Sequence, residues 1–294
     1  RRYKSHEAVM VEQVINNLVL NRKGNYVDCT FGLGGHSLAI LNNLDPEAKL
    51  TALDRDPISI EAANEIREND VRFTFINDKF GHLAKHFDDE TVDGILLDLG
   101  LSSKQLDDPK RGFSFQFLGP LDMRMDQSNG VSAKTWINQS TEEEIARVLW
   151  EKGEERKSRK IAELICRERN VNPINTTFDL VEIIMSCKPR SSKRHPATNA
   201  FRAIRMEINS EMEELRDALN TAGKILKKKG RLAVISFHSL EDRLVKRFIQ
   251  GKSIDGSKFS FKRVGGKHIK PNRGEIQKNP RSRSAILRVV EKAA

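Results

Sequence analysis

Three short segments carry residue types whose spacing suits chemistry. The first is Asp28-Cys29-Thr30-Phe31-Gly32-Leu33-Gly34-Gly35-His36, and the second is Leu53-Asp54-Arg55-Asp56-Pro57. The third runs from Gly94 through Ile95-Leu96-Leu97-Asp98 to Ser102-Ser103-Lys104-Gln105-Leu106-Asp107. Glycines let a backbone turn tightly and approach a ligand closely. A carboxylate about twenty residues beyond such a turn can accept hydrogen bonds from both hydroxyls of a ribose. Apolar Ile95–Leu97 deliver Asp98 to the carboxyl end of a strand, where open α/β sheets bind their ligands. Together these segments predict a pocket for an adenosine-containing cofactor.

The glycine spacing narrows the cofactor. In a dinucleotide turn of the form Gly-x-Gly-x-x-Gly the third glycine is spaced from the second. Here Gly35 follows Gly34 directly, and His36 and Ser37 come next. That argues against a pyrophosphate on a helix N-terminus. It favours S-adenosylmethionine, which has a sulfonium, an amino acid end and an adenosine. On this reading Gly34 and Gly35 face the amino acid end, and Asp54 holds the ribose. Asp56 reads as a helix cap. Asp28 reads as half buried, orienting the loop or touching ligand. Three alternatives for the reacting amine partner stay open: Asp98, Ser102 and His238, the last following a buried strand.

The elements that must position these residues alternate over the first hundred positions. Strands are expected at Tyr26–Thr30, Leu50–Leu53, Phe73–Ile76 and Val92–Leu97, with helices at Ser37–Leu44 and Pro57–Asn69. Such alternation implies a parallel sheet covered by helices. From 107 to about 209 no convincing strand occurs. Helical patterns occupy Thr141–Glu151, Ser158–Arg169, Phe178–Ser186 and Asn199–Ile208. Ser140 with Glu143, and Ser210 with Glu213, read as capping boxes. A helix at Glu211–Lys228 presents Met212, Leu215, Leu219, Ala222, Ile225 and Leu226 on one face and ends at Gly230. Arg231–Phe237 then reads as a strand and Glu241–Ile249 as a helix. Beyond Gly251 the chain reads as loop, closing on a strand-like Ala285–Val290. The organisation is an α/β core in two parts, 1–108 and 210–294, with an all-helical domain inserted at 109–209.

The 294 residues include 51 Lys plus Arg against 41 Asp plus Glu, a net charge of +10. From Lys188 to Arg205 there are six basic residues and no acid; from Lys258 to Arg288 there are ten and one acid, Glu275. Two one-sign stretches beside a nucleotide-type pocket favour a polyanion partner over a merely solvated face. Lys188, Arg190, Lys193, Arg194, Arg202, Arg205, Arg281 and Arg283 are the candidate RNA contacts. No run approaches a membrane span, and residues 1–20 read as a charged start followed by an amphipathic helix rather than a signal peptide. Cys29, Cys166 and Cys187 have neither metal spacing nor an even disulfide count, which points to a reducing, cytoplasmic setting without a metal. None lies by the fourth strand, where attack on a pyrimidine ring carbon would need one. Two rival readings are a dehydrogenase, which the glycine spacing opposes, and a non-catalytic RNA-binding module, which the intact acid positions oppose.

The motifs also carry a resemblance. Asp28-x-Thr30-x-Gly32-x-Gly34-Gly35-His36 with Asp54-Arg55-Asp56-Pro57 resembles the bacterial small-subunit ribosomal RNA cytosine-N4 methyltransferase family (RsmH, also called MraW). So do Asp98-Leu99-Gly100-x-Ser102-Ser103-x-Gln105-Leu106-Asp107 and Arg111-Gly112-Phe113-Ser114-Phe115. Gly119-Pro120-Leu121-Asp122-Met123-Arg124-Met125-Asp126, Gly153-Glu154-Glu155 and His195-Pro196-Ala197-Thr198 match as well. The series ends with Ser236-Phe237-His238-Ser239-Leu240-Glu241-Asp242-Arg243 and Asn279-Pro280-Arg281-Ser282-Arg283-Ser284. These follow in order over nearly the whole chain. Asn199 and Arg202 depart, standing where the family commonly has Lys or Arg and Gln. The resemblance implies a class I, Rossmann-like S-adenosylmethionine methyltransferase core with a helical insertion. It implies cofactor contacts at Gly34, Gly35, His36, Asp54, Phe80, Asp98 and Gln105. It also implies a cytidine of small-subunit ribosomal RNA as acceptor, presented in an assembled or late-assembly 30S particle, and leaves a homodimer open.

Overall fold

The computed structural model describes residues 8–188, 194–251, 256 and 258–293. The chain divides into two compact units, Arg1–Gly100 with Met212–Ala294, and Leu101–Glu211.

The first unit is built on a seven-stranded sheet of order β3-β2-β1-β4-β5-β7-β6. The strands are β1 (Asn25–Asp28), β2 (Lys49–Leu53), β3 (Phe73–Ile76), β4 (Val92–Asp98), β5 (Leu226–Ser236), β6 (Phe261–Ile269) and β7 (Ile286–Lys292). The pairings among the first five are parallel, whereas β7 runs antiparallel to both β5 and β6. Alternate residues of a strand point to opposite faces, and the packing follows that period. Val27, Ile95, Leu97, Leu232 and Val234 join one core with Leu215, Leu219, Ala222, Val245 and Phe248. Tyr26, Leu96, Ala233 and Ile235 join the other with Val14, Leu18, Ile40 and Ala63. A sheet buried on both sides needs near-continuous apolar strands, and β4 supplies Ile95-Leu96-Leu97. The helices in the first part of this unit are α1 (Val11–Leu18), α2 (Gly35–Leu41) and α3 (Ser59–Asn69).

The second unit is helical: α4 (Ser103–Asp107), α5 (Ala133–Gln139), α6 (Glu142–Glu151), α7 (Ser158–Arg169), α8 (Thr177–Cys187) and α9 (Thr198–Ile208). Its core is its own, drawn from residues such as Ile137, Ile145, Leu149, Ile161, Ile165, Leu180, Ile184 and Ile204. Then come α10 (Glu211–Ile225), α11 (Ser239–Ile249) and α12 (Arg273–Lys278), which lie in the second part of the sheet unit. Among the described residues no helix is long and apolar enough to cross a membrane.

Several expectations need correction. The helix expected to run to Lys228 stops at Ile225, and Gly230 lies inside β5, because Leu226 pairs with Val92 and strand pairing overrides helical pattern there. Thr141, not Ser140, caps α6, its hydroxyl accepting from Glu144 N at 3.1 Å, while Ser140 closes α5. Ser210 has φ 50°, not the extended backbone of a cap. The tail beyond Gly251 is not loop alone. It contains β6, an edge strand studded with exposed Lys262, Arg263 and Lys267, and α12. Charged side chains are a common guard on an edge. Glu275, the one acid of that tail, accepts from Met10 N at 2.6 Å and so caps α1.

Candidate active site

In the order β3-β2-β1-β4-β5 the chain departs in opposite directions on either side of β1, the switch point at which open sheets bind ligands. Three carboxylates stand at adjacent strand ends there. Asp28 closes β1, Asp54 follows β2, and Asp98 closes β4.

Asp28 is fully buried, a correction to the half-buried expectation. Its Oδ1 accepts from Thr30 N at 3.1 Å and its Oδ2 from Ser37 Oγ at 2.7 Å. Thr30 Oγ1 in turn accepts from Asp98 N at 2.7 Å. Burial pushes the Asp28 carboxyl up, with His36 and these donors pulling the other way. Asp28 therefore works as the peg on which the glycine turn and the end of β4 are hung.

The turn itself runs through left-handed backbone at Gly32 (φ 58°) and Gly34 (φ 85°). A methyl group on Gly34 would come within 2.9 Å of Phe31 Cζ, whereas one on Gly32 would meet nothing within 4 Å. Gly34 is thus fixed by packing and Gly32 faces open space. Asp54 Oδ2 accepts from Gly32 N at 2.7 Å and its Oδ1 from Asp56 N at 2.9 Å. The acid expected at the ribose thereby also ties the glycine turn to β2. Burial pushes its carboxyl up to about 6, against the pull of those amides. Asp56 Oδ1 accepts from Ile58 N at 3.0 Å, capping the turn before α3 rather than the helix itself, which begins at Ser59.

His36 and Asp98 are brought together. His36, 4 % exposed, places Nε2 2.8 Å from Val9 O and Nδ1 3.5 Å from Asp98 Oδ2. Asp98 Oδ1 is sealed from solvent and has no hydrogen-bond partner. Burial pushes the Asp98 carboxyl up to about 6; His36 pulls it down, while Asp28 and Glu241 push it up.

Phe80 opens a short 3₁₀ turn, Phe80–Lys85, half-buried against the core below the sheet. Glu214 on α10 pins that turn: its Oε2 accepts from Gly81 N at 2.9 Å and its Oε1 pairs with Lys79 Nζ. Sequence reasoning missed Glu214, because an acid on a helix offers no sign that it faces a turn 133 residues away.

The remaining candidates have local duties. In the helical unit Ser102 and Gln105 form a capping box for α4: Ser102 Oγ accepts from Gln105 N at 3.2 Å, and Gln105 Oε1 from Ser102 N at 2.9 Å. His238 caps α11. Its Nδ1 accepts from Glu241 N at 3.4 Å, its Nε2 lies 3.0 Å from Glu241 Oε1, and Glu241 Oε2 accepts from Phe237 N.

Three of the six basic residues of the first stretch, each expected at the RNA, have partners inside the helical unit. Lys188 pairs with buried Glu155. Arg202 donates to Gly153 O at 2.8 Å. Arg205 meets Glu211 side-on, Nε to Oε1 at 2.8 Å and Nη2 to Oε2 at 2.9 Å. Arg190 and Lys193 lie outside the described residues. Arg194, Arg281 and Arg283 are exposed.

The model of the MraW methylase family matches residues 3–293. Among curated relatives, the ribosomal RNA small subunit methyltransferase H of Coxiella burnetii (strain Dugway 5J108-111) is 47 % identical, covering 98 % of this chain and 99 % of that protein. Proteins of the same name from Alteromonas mediterranea and Marinomonas sp. are 46 % and 44 % identical, each covering 98 % of this chain and 97 % of the relative.

Proposed function

The chain belongs to the MraW methylase family, and from that premise we propose that it methylates the exocyclic N4 of a cytidine in small-subunit ribosomal RNA, using S-adenosylmethionine. The observation that carries this reading is Asp98: a carboxylate at the end of β4, 22 % exposed at its side chain, with one oxygen lacking a partner. An unmet buried acceptor is costly and calls for a donor or cation. Together with the open face at Gly32 and the ribose-ready Asp54, it suits a ligand that has a sulfonium and an adenosine.

When bound, the cofactor supplies a methyl carbon made electrophilic by the sulfonium. Gly34 and Gly35 receive its amino acid end, Asp54 accepts from the ribose hydroxyls, and Phe80 covers the adenine. Asp98 orients the acceptor amine and favours the positive charge that develops on it. The amine lone pair is delocalised into the ring, so a positioned acid also has a proton to accept. Ring-carbon chemistry would need a thiolate. Cys29 is buried, which pushes its thiol well up, and Cys166 and Cys187 belong to the helical unit. That supports the amine over carbon 5.

Residues 1–108 and 210–294 form the methyltransferase core on this reading, and 109–209 the inserted helical domain. Exposed Arg194, Arg281 and Arg283 are the contacts for RNA phosphates, in a 30S particle at or near full assembly. The test is to incubate the protein with small-subunit particles and methyl-labelled S-adenosylmethionine, then digest the RNA and identify nucleosides by mass spectrometry. N4-methylcytidine is expected. Label on carbon 5, on ribose or on protein overturns the assignment.

A further inference from the structure

His36 and Asp98 pose a proton-counting problem that their geometry answers. A backbone carbonyl can only accept, so the contact of 2.8 Å to Val9 O fixes the proton on His36 Nε2. In a neutral imidazole Nδ1 is then a lone pair. It lies 3.5 Å from Asp98 Oδ2, and an ionised carboxylate is also a pure acceptor. Two acceptors facing each other in a buried site repel. One extra proton removes the conflict, whether it sits on Nδ1 or on Oδ2. The charged groups around the pair press the same way: Asp28 on β1 and Glu241 on α11 are both acids that disfavour a second negative charge on Asp98. Of the charged groups acting on Asp98, His36 is the one that pulls its carboxyl down, while His238 lies against Glu241 at 3.0 Å.

We propose that His36 and Asp98 share one proton in the ligand-free protein, that the pair gives it up when the sulfonium binds, and that it takes up the amine proton as the methyl group is transferred. This rests on the reading of Asp98 as the acid that faces the methyl donor. The balance is complete. With S-adenosylmethionine bound, the pair carries one negative charge against the positive sulfonium. The N4 lone pair forms the nitrogen–methyl bond, and the sulfur–methyl bond breaks with its electrons left on sulfur. The amine loses one proton, which passes to the His36–Asp98 pair. The thioether product is neutral, and so is the pair. His36 is thus a positioning residue that stores the proton behind Asp98, and product release needs no separate deprotonation of the base.

Two measurements on the full chain test this. Calorimetric titrations at pH 5.5 in acetate and in MES, buffers of unlike ionisation heat, count protons released per ligand bound. S-adenosylmethionine should release roughly one proton more than S-adenosylhomocysteine. Any release from Asp54 is common to both ligands and cancels in the difference. Nitrogen NMR of histidine-labelled protein gives the second readout, with the His36 signals assigned by their loss in His36→Asn. Nδ1 should show lone-pair character with S-adenosylmethionine and protonated character with S-adenosylhomocysteine. Equal proton counts, or an Nδ1 signal that does not differ between the two complexes, overturn the proposal and leave the cofactor assignment standing. Failure of both ligands to bind overturns the cofactor assignment and the proposal together. Should His36→Asn not fold, the calorimetric difference alone decides, since it needs no variant.

Discussion

The two units spend their charged residues in opposite ways. In the sheet unit, acids gather at three adjacent strand ends, and one of them keeps a sealed oxygen without a partner. In the helical unit, three basic residues of the stretch that stood out in the sequence are engaged by its own fold, through Lys188–Glu155, Arg202–Gly153 and Arg205–Glu211. A run of like charge says little about a free surface until its partners are known. A lone carboxylate behind three apolar residues says more, because a buried acceptor without a partner is expensive to keep.

That contrast is sharpest at Asp98. Asp98→Asn keeps the shape and removes the charge, so turnover on small-subunit particles should fall roughly a hundredfold or more, as for loss of one preorganised electrostatic partner. Folding, followed by thermal denaturation, should change far less. Near-normal turnover would break the comparison and shift the burden to Ser102 or His238.

Asp54 should come next. Asp54→Ala removes the acceptor for the ribose and also frees the Gly32 and Asp56 amides. The expected loss in calorimetric affinity for S-adenosylmethionine is on the order of 2 kcal/mol, about thirtyfold. Unchanged affinity in a folded variant would reduce Asp54 to a loop tether.

The fold was legible where periodicity was strong and local. Ile95–Leu97 and the β-favouring Phe73–Ile76 announce themselves as strand segments, and the absence of strand pattern after 107 marks the helical unit. Capping was legible only to within a residue, since Ser140 and Thr141 are equally good caps and tertiary packing chooses. β6 was illegible, because an edge strand with mostly exposed faces shows no alternation to read. In the site, the glycine turn and its acids could be read from spacing. The contact between His36 and Asp98 could not, since it depends on where α2 meets β4, and neither could the use of Glu214 to hold the Phe80 turn.

The pH dependence of cofactor affinity probes the same strand ends. The carboxyls of Asp54 and Asp98 are raised to about 6, so both hold protons below that pH in the ligand-free protein. Ribose hydroxyls and a sulfonium bind the ionised forms better. Affinity should therefore rise as pH climbs from 5 through 6 and level off near 7, by up to roughly tenfold per unit per group. Folding stability runs the other way for these two groups. A raised folded-state value stabilises below the ordinary carboxylate range, and that contribution is lost as pH rises through 6. Asp98→Asn should flatten both trends. An affinity that falls between pH 5 and 7 would mean that neither acid meets the ligand in its charged form.

The smallest effects separate a basic residue that builds the protein from one that meets RNA. Arg205 and Glu211 form a side-on, two-contact ion pair with only 15 % and 12 % of their side chains exposed. Arg205→Ala leaves a partly buried carboxylate without its partner, so it should cost about 1–2 kcal/mol of stability, read as a lowered urea midpoint. The salt dependence of particle binding should stay as it was. Arg283 is exposed in the short turn before β7. Arg283→Ala should leave the urea midpoint within about 0.5 kcal/mol of the parent, yet reduce the slope of log affinity against log salt by about one, the signature of a single lost phosphate contact. If instead Arg205→Ala changed the slope and Arg283→Ala changed only stability, the roles of the two arginines would be reversed.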